Sequence, residues 1–195
     1  MEEQKSFFQR NMWWVIVLLV VVLLVGWGVS KYNSFVVMGE KIDGQWAQVE
    51  SQYQRRFDLI PNLVSSVEGS MSQEKDVFLG IAEARTKYSG AQTVDEKAQA
   101  AGQVETALGR LLAVIENYPT LQSSQRVADL MVSLEGTENR IAVERMNFNN
   151  LVRDFNATIK RFPTMILASL FGVDSREYFE IVEGVEKAPK VDLIN

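Results

Sequence analysis

An uncharged, strongly apolar run near the start of the sequence constrains the fold more than any other feature. Residues 12–29 read MWWVIVLLVVVLLVGWGV and contain no charged side chain. As a helix rising about 1.5 Å per residue, this run spans about 27 Å, close to the bilayer's hydrocarbon thickness of about 30 Å. Aromatic residues of the type found at membrane interfaces flank both ends: Trp13, Trp14, Trp27 and Tyr32. The sequence therefore predicts a transmembrane helix over residues 12–30, preceded by a short tail over residues 1–11.

A cleaved signal peptide is the alternative interpretation of this run. Its apolar core is usually about 7–15 residues long and ends in a small-x-small cleavage site. Here the run is longer, carries bulky Trp27 near its end and is followed by no such site. A buried helix of a soluble protein is rarely apolar on every face. We therefore expect a retained signal-anchor.

The orientation of this anchor is only weakly indicated. Lys5 and Arg10 on one side match Lys31 and Lys41 on the other, so the counts of basic residues are equal. The amino terminus tips the balance slightly toward an N-inside arrangement. That arrangement places the remainder of the chain outside the cytoplasm.

The residue types that are missing exclude most catalytic chemistry. The sequence contains no His and no Cys, which excludes imidazole and thiolate catalysis and the metal sites built from these residues. The net charge of −5 and the pI near 5.0 are opposite to the basic excess of nucleic-acid-binding proteins. Carboxylates are the remaining metal-binding candidates, and di-iron bundles pair them with His: Glu135, Glu138, Glu144 and Asp154. We predict no enzymatic activity, no cofactor, no metal and no nucleic-acid partner.

Apolar positions at heptad spacing dominate the chain after the anchor. Stepping alternately by three and four residues from Tyr32 to Val67 finds nine apolar positions among eleven. A series in steps of three or four residues from Val127 through Glu138 to Phe162 again finds nine among eleven. Such seams are typical of long amphipathic helices and coiled coils. The sequence predicts an all-α fold, in which one N-terminal transmembrane helix continues into an antiparallel bundle of long kinked helices.

Two prolines leave the helix arrangement open. The segment 89–92 is the clearest turn signal, and the Thr93–Glu96 pair that follows has the capping-box pattern. If Pro61 and Pro119 are kinks, two long helices fold back at this turn as a hairpin. If both prolines are full turns, the chain forms a compact four-helix bundle.

The predicted domain boundaries follow from these signals. The bundle covers residues 31–163, and an irregular tail covers residues 188–195. Between them, residues 164–187 form an apolar segment and then a short acidic helix. The pair Asp174 and Glu177 resembles the N-terminal cap of that helix.

Charged residues that fall on or beside the apolar seams are the sharpest polar candidates: Arg55, Arg56, Asp58, Glu138 and Arg145. An unpaired charge is costly to bury, so we expect each seam charge to have a partner. We interpret them as ion pairs that fix the register of the helices. A binding site for a ligand or a lipid headgroup is the alternative.

Two segments near the end of the second seam, one without charge and one rich in Asn, are further candidates. The first either lies in the membrane interface or caps the bundle core: Met165, Ile166, Leu167, Leu170 and Phe171. The second is the Asn-rich stretch 147–156, in which the amides are expected to form contacts between helices or between subunits.

Several segments, spread in order along nearly the whole chain, carry a family resemblance. They are YNSFV (32–36), RRFDLIPNLV (55–64), ENYPTL (116–121), LEGTENRI (134–141), NFNNLV (147–152), Phe162-Pro163, Phe171-Gly172 and Tyr178-Phe179. Together they resemble the LemA family, with Phe148 at a position where the family usually carries Tyr. The resemblance implies a single-span bacterial inner-membrane protein with a helical soluble domain. Some members of that family are associated with membrane remodelling and organelle formation.

Taken together, these features predict a membrane scaffold that associates with further copies of itself and organises or remodels the bilayer. Its expected partners are the lipid bilayer and other copies of the chain. The alternative is a membrane-anchored adaptor or regulator that binds an unidentified membrane or envelope protein through its bundle. The soluble part is expected on the periplasmic side of the membrane.

Overall fold

The computed structural model describes residues 3–71 and 73–180, and within these residues it contains six helices and no strand. The helices are α1 (Glu3–Val67), α2 (Lys75–Gly90), α3 (Val94–Ile115), α4 (Pro119–Gln122), α5 (Gln125–Lys160) and α6 (Thr164–Phe171). The predicted all-α fold with a long apolar N-terminal helix is confirmed. The predicted tail over residues 188–195 lies outside the described residues.

The two prolines behave differently from each other. Pro61 lies inside α1, which continues to Val67, so a full turn at this proline is wrong. Its ring is on the exposed side, while Ile60 and Leu63 remain buried. Packing of these buried residues stabilises the helix as it continues past the hydrogen bond that Pro61 cannot donate. Pro119 instead begins α4, the first-turn position that tolerates its missing N–H.

The chain reverses between α1 and α2, because Tyr88 near the end of α2 contacts Tyr53 and Phe57, so the long hairpin with its turn at Gly90 is wrong. Only α2 and α3 are joined at that turn. Trp46 contacts Phe148, and ten residues further along α1, Arg56 contacts Glu138, ten residues earlier on α5. These parts of α1 and α5 are therefore antiparallel, and the four long helices fit the bundle alternative.

The start of α3 has the predicted cap. The Thr93 hydroxyl accepts a hydrogen bond from the Glu96 N–H, and the Glu96 carboxylate accepts from the Thr93 N–H, both at 3.1 Å. The Gln92 N–H also donates to this carboxylate at 2.8 Å. These donors stabilise the ionised form and lower the pKa of Glu96.

The chain divides into two compact units. The first comprises residues 1–42 and 153–176, with Phe35, Phe155 and Ile159 among its buried side chains. The second comprises residues 43–152 and 177–195. Its buried core is drawn from both predicted seams and from the faces of α2 and α3: Val49, Tyr53, Leu63, Ile81, Val104, Leu111, Ile141 and Phe148.

The expected acidic helix after α6 is wrong within residues 173–180, which are not helical. Gly172, at a φ of 65°, ends α6 in the left-handed conformation that favours glycine. In this segment, side-chain amides of α5 form hydrogen bonds with backbone groups that would otherwise pair within a helix. Asn156 accepts from the Arg176 N–H and donates to its carbonyl, both at 2.9 Å. The remainder of the predicted helix, residues 181–187, lies outside the described residues.

Candidate functional site

The uncharged run of α1 forms a fully helical, outward-facing apolar surface. Its large side chains are almost all exposed, from Met12 at 54% to Val29 at 54%. Exposed apolar surface of this extent is unfavourable in water. The helix is long and apolar enough to cross a membrane, as the sequence predicts. Trp13, Trp14 and Trp27 lie on this helix with exposed side chains.

The fourth predicted interfacial aromatic, Tyr32, contacts α6. Its ring lies edge-on to that of Phe171, with centroids 5.1 Å apart. Within the first unit, α6 packs through Thr164 and Ala168, which are buried. Leu167 is half-buried. The other predicted residues of this segment face outward and are exposed: Met165, Ile166 and Leu170, preceded by Phe162.

Three of the five charged candidates meet in the second unit. Arg56 is buried and forms an ion pair with Glu138. Arg145 pairs with Glu105 of α3, with 3.5 Å between the guanidinium nitrogen and the carboxylate oxygen. Glu105 is a partner that sequence reasoning missed, because it lies on a different helix and belongs to neither seam.

The other two charged candidates do not join this cluster. Arg55 is exposed, and Asp58 is exposed with its carboxylate accepting from Gln54 at 2.9 Å. Helical geometry explains the separation, because adjacent residues point about 100° apart. The compact RRFD motif is therefore split between the interior and the surface.

Two buried tyrosines pack together in the second unit, and one of them, Tyr53, lies beside the charged cluster. The hydroxyl of Tyr53 and that of Tyr88 have no hydrogen-bond partner among the described residues, and the ring centroids are 4.9 Å apart. Burial raises the pKa of both tyrosines. Burial also raises the pKa of Glu105, with a further contribution from Glu138.

Phe179 completes this core from the non-helical segment after α6. Its ring packs on Trp46 and Tyr53, and the Arg145 guanidinium lies over it at 4.6 Å from the centroid. Its backbone N–H and carbonyl pair with the side-chain amide of Asn149 at 2.8 and 3.0 Å. The amide pairing supplies a role for this Asn that the sequence pattern alone left open.

A second apolar line on α5 was not found from the sequence. It runs along the surface of the second unit, opposite to the inner seam: Val132, Gly136, Asn139, Val143 and Met146. Spacings of four and three residues keep these positions on one face. The exposed fractions of Val132, Val143 and Met146 are 69%, 50% and 57%. We call this set the outer stripe.

A groove in the second unit adjoins this surface. It has a volume of about 760 Å³ and runs between α3 and α5. Its sides are mainly apolar, with Leu112, Met131 and Val132 among them, and the Arg56–Glu138 pair lies at one end.

Three of the four carboxylates considered as metal ligands have other partners, and Glu135 is exposed. Glu144 accepts from the Gln45 amide at 2.6 Å, and Asp154 accepts from the neighbouring Arg153. Glu138 pairs with Arg56. Among the described residues, no group of three or more acidic side chains is placed to hold a metal ion.

Comparison with known proteins places this fold in a family. Residues 45–193, most of the chain, match the LemA family. The chain belongs to the LemA family. This match covers α1 from residue 45 onward and all of α2 to α6. It includes the charged cluster, the groove and the outer stripe.

Proteins similar in sequence to this chain include magnetosome proteins. MamQ 1 and MamQ 2 of Paramagnetospirillum magneticum are each 30% identical over 176 residues, covering 77% of this chain. MamQ of Magnetospirillum gryphiswaldense is 29% identical over 175 residues, covering 76% of this chain. The chain spans less than two thirds of the length of these relatives, 64% to 65%.

Proposed function

We propose that this LemA-family chain is a non-enzymatic, single-span membrane protein that self-associates and so organises or remodels the bilayer. Its partners are the lipid bilayer and further copies of itself, and it uses no cofactor. The apolar helix of α1 and the similarity to magnetosome proteins support the membrane location. The observation that carries the self-association is the outer stripe of α5.

Self-association needs a helix face that the fold leaves exposed. The inner seams are largely buried within this chain, for example Phe35 and Ile42 in the first unit, and Tyr53, Ile141 and Phe148 in the second. They are not available to a second copy. The described part of the chain leaves the outer stripe uncovered, with three exposed large apolar side chains.

The composition of the stripe suits a two-fold pairing. Asn139 lies at its centre, with apolar residues toward both ends. In a symmetric pair the same surface meets itself, which brings Asn139 close to its counterpart. A single polar Asn in a helical seam is a known determinant of register and partner number.

A small interface is sufficient when both copies are held in one membrane. Anchoring makes the second contact effectively intramolecular and raises the local concentration. The outer stripe can therefore be too weak to dimerise a dissolved bundle and still assemble copies in a bilayer.

Because the sequence contains no Cys, self-association can be tested by disulfide cross-linking of a single introduced Cys. We expect Asn139→Cys, in the full chain reconstituted in vesicles, to form a disulfide-linked dimer on mild oxidation. Gln103→Cys is the matched control, because it is exposed on α3 and away from the stripe. Cross-linking at Asn139 that is no greater than at Gln103 would overturn the proposal.

A second pair of variants separates assembly from folding. Val143→Glu should abolish the Asn139→Cys dimer, whereas Leu79→Glu, which alters an exposed apolar residue of α2, should leave it intact. Circular dichroism checks that both variants remain helical. Retention of the dimer in Val143→Glu contradicts a role for the outer stripe.

The groove between α3 and α5 favours the adaptor function as a second candidate. An amphipathic helix lays its apolar face into grooves of this kind, and a partner helix would contact Leu112 and Met131. Leu112→Arg should then abolish in-cell cross-links to another protein while the Asn139→Cys dimer persists. Cross-linking that recovers only copies of this chain would exclude the adaptor.

We also propose that the bundle lies on the periplasmic side of the inner membrane. The counts of basic residues flanking the anchor are equal, and the amino terminus favours this orientation only slightly, so the orientation needs a direct test. Protease is added to intact cells, to cells with only the outer membrane permeabilised, and to cells with both membranes opened. We expect residues 31–195 to be cleaved as soon as the outer membrane is permeabilised. Protection until the inner membrane is opened would reverse the orientation.

A further inference from the structure

A patch of large apolar side chains projects from the first unit around α6. Phe162, Met165, Ile166 and Leu170 are exposed by 79%, 51%, 58% and 75%. We call these four residues the α6 patch. Side chains of this size with this exposure indicate a surface that is covered in the working protein.

The direction in which the α6 patch faces is fixed by contacts on the other side of the helix. Thr164 and Ala168, one turn apart, are buried. The Thr164 hydroxyl donates toward the carbonyls of Thr158 and Arg161, at 2.6 and 2.8 Å. Because the buried face is held by packing and hydrogen bonds, α6 cannot turn its patch inward without losing both.

The position of α6 indicates what covers the patch. Phe171, the last residue of α6, packs against Tyr32. Tyr32 follows three residues after Val29, where the uncharged run of α1 ends, a rise of about 4.5 Å along a helix. The end of α6 therefore lies at the level where the proposed membrane helix leaves the hydrocarbon.

The charges around the patch favour a lipid surface over a protein partner. Lys160 and Arg161 immediately precede Phe162 and are exposed, and residues 160–173 contain no acidic side chain. Apolar side chains bordered by basic ones are typical of segments that lie in the membrane interface and contact anionic headgroups.

We propose that α6 inserts the α6 patch into the headgroup and acyl boundary of the leaflet on the bundle side, with Lys160 and Arg161 on lipid phosphates. The chain then contacts the membrane twice, through a spanning helix and through a short helix confined to one leaflet. This inference rests on the membrane location of the proposed function but not on self-association. A short helix in one leaflet adds volume on that side only, which is a direct means of bending a bilayer.

The test places an environment-sensitive fluorophore on single cysteines of the full chain in vesicles of mixed neutral and anionic lipid. Leu170→Cys reports the patch, Val29→Cys is the membrane control and Leu79→Cys is the exposed bundle control. We expect lipids brominated near the headgroup to quench the labels at Leu170 and Val29 and to leave Leu79 unquenched. Quenching at Leu170 no stronger than at Leu79 would overturn the proposal.

Two further measurements distinguish a lipid covering of the α6 patch from a protein covering. A blue-shifted label at Leu170 that brominated lipid does not quench would show a protein covering, either a second copy or a partner, and would refute lipid insertion. Neutralising Lys160 and Arg161 with Gln should remove the dependence of quenching on anionic lipid. The Asn139→Cys dimer, measured in the same vesicles, tests self-association separately, so either idea can fail without the other.

Discussion

The ion pair between Arg56 and Glu138 predicts an asymmetric response to mutation. The side chain of Arg56 is 9% exposed, and that of Glu138 is 40% exposed. Glu138→Gln leaves a buried guanidinium without its partner, whereas Arg56→Met leaves a carboxylate that water can still reach. The first change should therefore cost more stability than the second, although both break the same pair.

The magnitudes follow from the two exposures. Breaking a fully buried pair costs about 3–5 kcal/mol, and the solvation of Glu138 reduces this, so we expect about 2 kcal/mol for Glu138→Gln. Arg56→Met keeps most of the apolar stem, and we expect about 1 kcal/mol. The double variant should be about as stable as Arg56→Met alone, because it leaves no unpaired charge.

Thermal and urea unfolding of the full chain in mild detergent measure these differences. Changing the three tryptophans of the apolar run to Phe leaves Trp46 as the only tryptophan, and its contact with Phe148 makes it a reporter of the second unit. Equal costs for the two single variants would refute the reasoning from exposure. A double variant as unstable as the sum of the single changes would refute the pairing itself.

Three further predictions follow from buried polar groups. Asn149→Ala removes both hydrogen bonds to the Phe179 backbone, so the free energy of unfolding should fall by about 2 kcal/mol. Hydrogen exchange at the Phe179 amide should accelerate, and an unchanged exchange rate would exclude this contact. Because burial raises the pKa of Glu105 above 4.5, the folded state binds the proton of this carboxyl group more tightly than the unfolded state does. Stability should therefore fall as pH rises above that value. The melting temperature of Glu105→Gln should depend less on pH than that of the unmodified chain. Burial likewise raises the pKa of Tyr53 and Tyr88 above the ordinary 10.0, so stability is retained below that pH and lost above it; phenolate absorbance from both residues should appear only together with the loss of helical signal.

Local signals with a direct physical mechanism were readable in the sequence. The Thr93 cap depends on residues three apart in the chain, and both of its hydrogen bonds are present. The inner seams depend on helical spacing alone, and most of their apolar residues lie in the core. The helix of the apolar run was predictable from the length and composition of the run alone, and α1 is helical there.

Features that depend on tertiary context were not readable. Proline ordinarily interrupts a helix, but packing of Ile60 and Leu63 carries α1 past Pro61. The acidic residues after Gly172 have the pattern of a helix start, yet side-chain amides from α5 compete for the backbone groups. The outer stripe of α5 was hidden by the stronger inner seam of the same helix.

The amide pairing of Asn156 with Arg176 has a consequence for how such sequences diverge. An Asn side chain carries the same donor and acceptor as a peptide group, so it recognises a backbone position whatever side chain stands there. Drift at position 176 should therefore leave these two hydrogen bonds intact, whereas Asn156 has few chemical substitutes, since Asp lacks the donor. Phe179 is under tighter constraint, because its backbone is held by Asn149 and its ring by the aromatic core. Among relatives of this chain, the amides on α5 are expected to persist longer than the identity of the residue at position 176.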